Sequence, residues 1–150
     1  MNVKGNGGHA KVVRDIISFL ERESDDWIIA VGNNHDRKYE AERLADKKFA
    51  TLIHPKAYVA DDVEFGVGTV VMAGAVVQPA TVIGNHVIVN TCASVDHDCQ
   101  IGDFVHIAPG ARICGGVTIG EGAFLGAACI VTHGVKVDAW SFHKAGSLVK

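Results

Sequence analysis

The chain has no surplus of basic residues: 14 Lys and Arg stand against 17 Asp and Glu, a formal net charge of −3. That balance argues against the basic footprint of a nucleic-acid-binding protein. No apolar run approaches the roughly 20 residues of a membrane span, and no signal-peptide pattern opens the chain. Cysteine is sparse. Cys92, Cys99, Cys114 and Cys129 include no C-x-x-C pair, so a zinc or redox motif is not expected. They read as small core hydrophobes in a reducing compartment, which points to the cytoplasm.

From about residue 51 onward both common periods are also missing. Apolar residues neither recur at the helical spacing of 3.6 nor alternate as in a half-buried strand. They recur in sixes. Counting from Ile53 through Val59 and Phe65 to Val149, sixteen of seventeen positions are apolar, with His143 the exception. Four residues after each lies a second column, from Ala57 to Ser147, in which every member is small or is valine. One large and one small inward position per six residues is the pattern of a parallel β-helix. Each six makes a short flat face, and three faces make one coil of a triangular prism. Coils then stack in register, with backbone groups pairing above and below. Gly66, Gly84, Gly102, Gly120 and Gly126 directly follow the large aliphatic and are expected to ease the bend there.

Residues 1–50 read differently. Gly5-Asn6-Gly7-Gly8-His9 opens a helical pattern through Val12, Val13, Ile16, Ile17 and Leu20. Trp27 to Val31 reads as a buried strand, followed by Gly32-Asn33-Asn34 and a second helix from about Arg37 to Lys48. Strand, loop and helix, twice over, make a small parallel α/β unit with both loops at the carboxyl ends of their strands. A glycine-rich turn opening a helix can hold a phosphate, although glycine and asparagine also serve simply as turn formers. Glu21 to Asp26 is too short for a further strand-helix pair, so the sheet is expected to be unusually small.

Of the eight histidines, the six from His54 to His143 can be placed on the eighteen-residue coil. Asp61, Pro79, His97, Gly115 and His133 form one vertical line. His97 is expected at an outward bend, flanked by Asp96 and Asp98, and a carboxylate beside an imidazole raises its basicity and fixes its tautomer. That pattern suits a general base, the alternative being a solvated surface histidine. Gly115, one coil on, offers a backbone N–H to a developing oxyanion. His106 lies half a coil from His97. A face on the order of 17 Å wide keeps the two from sharing a substrate within one prism. A trimer with sites at its clefts would unite them, unless His106 merely sits on an outer face. His54, His86, His133 and His143 have no local partner and read as surface residues.

These motifs together resemble the left-handed β-helix, hexapeptide-repeat acyltransferases, in particular the bacterial sugar O-/N-acetyltransferases of the sialic acid O-acetyltransferase and UDP-4-amino-sugar N-acetyltransferase type. Gly5 to His9 is similar to that family's glycine-rich loop, and Ala30 to Asn34 to its second ligand loop. Asn90-Thr91 with Ser94 to Asp98 resembles its catalytic stretch, and Gly102 to His106 the segment after it. The resemblance implies a mostly β fold: a left-handed parallel β-helix over residues 51–150, preceded by a shortened Rossmann-like unit over 1–50. It implies acetyl transfer from acetyl-CoA to an amine or hydroxyl of a nucleotide-linked amino sugar, in surface glycan or polysaccharide synthesis. His97 would be the base, assisted by Asp98, with the Gly115 N–H holding the oxyanion. His106 and Asn90 would position donor or acceptor, and Gly8, His9, Asn33 and Asn34 would bind the nucleotide sugar. Acetyl-CoA would lie between two prisms of a homotrimer, near Gly126, Ala127 and Gly134. No metal is implied. Two departures stand out: the family's middle strands have no counterpart between Leu20 and Trp27, and the chain stops at Lys150, where relatives continue into a tail that helps cover CoA.

Two other readings compete. A zinc hydratase of the carbonic anhydrase type can use histidines two coils apart, as His97 and His133 are, but Asp138 stands where a third ligand is expected. A structural trimer without catalysis is the other.

Overall fold

A computed structural model describes residues 1–20 and 24–150 of the chain. The short stretch Glu21 to Asp26 therefore falls partly outside the described residues.

Seventeen two-residue strands, from β3 (Leu52–Ile53) to β19 (Leu148–Val149), form three parallel sheets of six, five and six strands. The register is the coil length read from the sequence: Val95 pairs with Val77 on one side and Ile113 on the other. Both inward columns meet inside. Val71, Val89, Ile107 and Leu125 pack with Ala75, Ala93, Cys99 and Ala123 in one continuous core. Each large aliphatic buried there contributes about 1.5–3 kcal/mol. The prism is the left-handed β-helix expected, with a small α/β unit before it.

The glycines that follow the aliphatics serve a purpose other than the one expected. None of Gly66, Gly84, Gly102, Gly120 or Gly126 adopts positive φ. That conformation falls two residues later in the corner, where Ala80, His86, Cys92, Asp98 and Phe104 carry it without glycine. What excludes a side chain is the next coil: a Cβ on Gly102 would stand 2.7 Å from the Glu121 nitrogen. Cys92 is likewise corrected. It is exposed at such a corner, whereas Cys99 and Cys129 are buried and all four thiols are free.

The N-terminal unit comprises β1 (Asn2–Lys4), α1 (Gly8–Phe19), β2 (Trp27–Ile29) and α2 (Asn34–Arg43), with β1 and β2 pairing in parallel. α1 buries Ala10, Val13 and Ile16 against Ile28 and against Leu52, Val70, Met72 and Ile88 of the prism. Those outer positions are apolar because the helix covers them. α2 begins three residues before the expected Arg37, because the Asn33 side chain caps it by accepting from the Asp36 N–H at 3.1 Å. It covers a column of rings along one prism edge: His35 stacks on Trp140 at 4.4 Å, and Lys38 lies over Phe104 and Trp140.

This docking overturns two surface expectations. His86 is buried, stacked on Phe104 at 5.3 Å and met edge-on by Phe49. His54 is buried against Phe19. His133 is exposed, and His143 is half-buried in the last coil.

Candidate active site

His97 occupies the corner between β10 (Ser94–Val95) and β11 (Gln100–Ile101). Its side chain is 54% exposed, and its Nδ1 lies 2.7 Å from Asp98 Oδ2. The carboxylate can only accept, so the proton sits on Nδ1 and Nε2 is left as the basic atom. The hydrogen bond to Asp98 raises the His97 pKa, and the charges of Asp96 and Asp98 add to this. Asp96 also caps the corner, accepting from the His97 N–H at 3.0 Å. Below the ring lies Gly115, as the coil length predicts: a Cβ there would stand 2.7 Å from His97 Cε1 and Nε2. The Gly115 N–H has no acceptor within the protein among the described residues. A base with a free donor beside it is thus assembled by two successive coils.

A second cluster sits where the N-terminal unit meets the prism. His106, in β12 (His106–Ile107), is buried, with Nδ1 3.1 Å from the Gly32 carbonyl and Nε2 3.1 Å from Asn90 Nδ2. His9, in the first turn of α1, stands 6.5 Å away ring to ring, and its Nε2 is buried without a partner among the described residues. Burial, and then the Arg37 charge, push the pKa of both imidazoles down to about 4. Gly8 is the first residue of α1, beside a cleft of about 330 Å³ lined by Gly5, Gly7, His9 and Gly32. Gly5 must be glycine: φ is +128° and a Cβ would lie 2.5 Å from the Ala30 oxygen.

The structure brings His9, Asn90 and His106 together but gives the asparagines of the second loop structural duties. Asn33 caps α2. Asn34 is buried, donating to the Gly122 and Ala123 carbonyls and accepting from Arg37. Of the residues expected near CoA, Gly126 is buried, with a would-be Cβ 2.5 Å from the Ala145 nitrogen. Gly134 is exposed on the His97 edge, and Ala127 is exposed on the next edge. The sequence reading missed a further cavity of about 230 Å³, lined by His35, Phe124, Trp140, Ser141 and Phe142 beside the Gly32–Asn34 loop. Phe124 touches His106 edge-on at 5.0 Å and stacks on Phe142 at 5.1 Å. The outward column His106, Phe124, Phe142 was legible in the six-residue frame, because each ring directly precedes an inward position. Among the described residues no group of three His, Cys, Asp or Glu side chains is arranged around a metal position.

Known structures share this fold closely. PerB from Caulobacter crescentus, solved in complex with CoA and GDP-perosamine, is 31% identical, with 99% of this chain and 87% of that one covered and a TM-score of 0.95. The acetyltransferase domain of PglB from Neisseria gonorrhoeae FA1090 is 34% identical, with 99% and 90% covered and a TM-score of 0.95. The chain belongs to the bacterial hexapeptide-repeat sugar acetyltransferases. That family's repeat, the bacterial transferase hexapeptide (six repeats), matches residues 98–133. Within the family, GDP-perosamine N-acetyltransferase of Escherichia coli O157:H7 is 33% identical over 109 residues, 71% of this chain and 49% of that protein. The chain spans about half the length of the curated relatives it matches. The PglB domain has also been solved in complex with acetyl coenzyme A.

Proposed function

We propose that the chain transfers an acetyl group from acetyl-CoA to the amine of a nucleotide-linked amino sugar, in the cytoplasm, for surface glycan or polysaccharide synthesis. One observation carries the chemistry: the His97 imidazole, oriented by Asp98, packs against Gly115, whose backbone N–H has no acceptor among the described residues. The named relatives are N-acetyltransferases, which favours an amine acceptor over a hydroxyl.

The acceptor nitrogen attacks the thioester carbonyl carbon. His97 Nε2 takes the proton that the nitrogen sheds, and the Gly115 N–H stabilises the oxyanion. Collapse of the adduct breaks the carbon–sulfur bond, and the departing thiolate takes the proton back from His97. No covalent enzyme intermediate is needed. His97 stands on the edge opposite the sheet that carries His106, so one prism cannot offer both to one substrate. A homotrimer unites them by setting the His97 edge of one copy against the His106 face of the next, with His9, Asn90 and the glycine loop toward the sugar nucleotide. The donor's arm then runs along the shared groove past Phe124 and Phe142, toward Ala127 and Gly134.

The test is thiol release from acetyl-CoA across UDP- and GDP-linked amino sugars and their hydroxyl counterparts. Turnover is expected with an amino sugar. His97→Ala should lower it by about 10²–10⁴-fold without loss of fold, as its side chain is largely exposed. A His97→Ala rate near that of the unaltered chain would remove the base from the mechanism.

A further inference from the structure

Arg37 is 1% exposed, and all five of its guanidinium N–H groups are used. Nε donates to the His86 carbonyl at 2.8 Å, Nη1 to those of Val31 and Gly32 at 3.0 and 3.2 Å, and Nη2 to Asn34 Oδ1 and the Phe104 carbonyl at 2.9 and 2.6 Å. Among the described residues no carboxylate pairs with it. A buried cation without a counter-ion is costly, and an apolar residue of similar size would serve packing as well. Burial pulls its pKa down to about 9, so it stays charged at neutral pH.

The Gly32 carbonyl is shared. Arg37 Nη1 and His106 Nδ1 both reach it, and a carbonyl only accepts, so His106 carries its proton on Nδ1. The opposite side of the ring is decided by Asn90. Its Oδ1 accepts from the Thr91 backbone N–H at 2.8 Å, which rules out the flipped amide and turns Nδ2–H toward His106 Nε2. Nε2 must then be a bare lone pair. Two backbone groups thus define one neutral tautomer without reference to any titration.

We propose that Arg37 is a positioning residue: it anchors the Gly32 carbonyl so that His106 is held neutral, as its Nδ1–H tautomer, with Asn90 oriented on its lone pair. This rests on the reading of His106 and Asn90 as groups that position the substrates. Facing His106 are His9 from α1, Arg37 from α2, the neutral Asn90 amide and the Phe124 ring. The two titratable groups among them both oppose its protonation, and only the Gly32 carbonyl favours it.

The test uses the full chain labelled with ¹⁵N-histidine, with tautomer and titration read by long-range ¹H–¹⁵N correlation. In the unaltered chain His106 is expected as the Nδ1–H form, unprotonated down to about pH 5. Arg37→Met should raise its midpoint by about one pH unit or more and mix the tautomers. In turnover, kcat is expected to fall about tenfold as the tautomers mix, while KM for the thioester holds within about twofold. Arg37→Lys keeps the charge and loses the fork, and should restore the midpoint more than the tautomer. A folded Arg37→Met chain with an unmoved His106 titration overturns the proposal. Should that variant not fold, an Nε2–H form or a midpoint near 6.5 in the unaltered chain overturns it equally. The spectra do not depend on any acetyl transfer, so an inactive chain would count against the proposed function and leave this test standing.

Discussion

At the scale of single residues, the site divides its histidines by solvent. His97 is exposed beside two carboxylates, and its pKa is raised, chiefly by the Asp98 hydrogen bond. A general base must be neutral, so kcat/KM should rise with pH through a midpoint above 6.5. In Asp98→Asn the partner carboxylate is gone and that midpoint should move to lower pH, while the limiting rate falls about tenfold or more because the tautomer is no longer held. A pH–rate profile measures both; an unmoved acid limb would mean that another group titrates there. The trio His97, Asp98 and Gly115 was legible because their relation is periodic: a fixed coil length turns sequence distance into vertical distance. Arg37, His54 and His86 were not, because their environment comes from a helix folding back across the prism.

At the scale of elements, each coil corner is shaped by the coil above it. Gly102→Ala would push a Cβ to 2.7 Å from the Glu121 nitrogen and 3.0 Å from the Gly120 carbonyl carbon. Backbone cannot swing aside as a side chain can, so a loss of about 1–3 kcal/mol is expected, seen as a Tm lower by about 5 °C. Gly110→Ala, at positive φ but with open space around it, separates the two causes and should cost less, about 1 kcal/mol. If Gly102→Ala costs no more than Gly110→Ala, close approach of the next coil does not govern the corners. α2 shows the same lesson in another form. The Asn33-Asn34 pair read as a ligand loop, yet one residue caps the helix and the other bolts it to Gly122 and Ala123.

At the scale of the whole molecule, the junction of the two parts stores imidazoles that must remain neutral. His9, His86 and His106 have pKa values lowered to about 4, first by burial and next by Arg37. In the unfolded chain the value is about 6.5. As pH falls below 6.5 the unfolded chain takes up protons that the folded chain refuses until about 4, so stability is full above that window and lost within it. Tm should therefore drop by several degrees between about pH 7 and 4.5; a flat profile would mean that these rings are solvated. The proposed homotrimer has its own test. Mixed trimers of His97→Ala and His106→Ala chains, refolded together, contain some clefts with both histidines intact, and should recover about a quarter of full activity. No recovery would place both groups in one copy's site.

The winding of the prism, its three faces and the pairing of His97 with Gly115 were determined by the sequence alone, because a strict six-residue repeat leaves one way to bury both inward columns. The sequence also marked Gly5 to His9 and Asn90 as residues of interest. What only the tertiary structure decided is how the N-terminal unit seats on that prism. Covering Leu52, Val70 and Ile88 with α1, and the ring column with α2, buries His86 and His106 and encloses Arg37 among carbonyls. Contacts between two units of different period follow no repeat, and no spacing in the chain announces them.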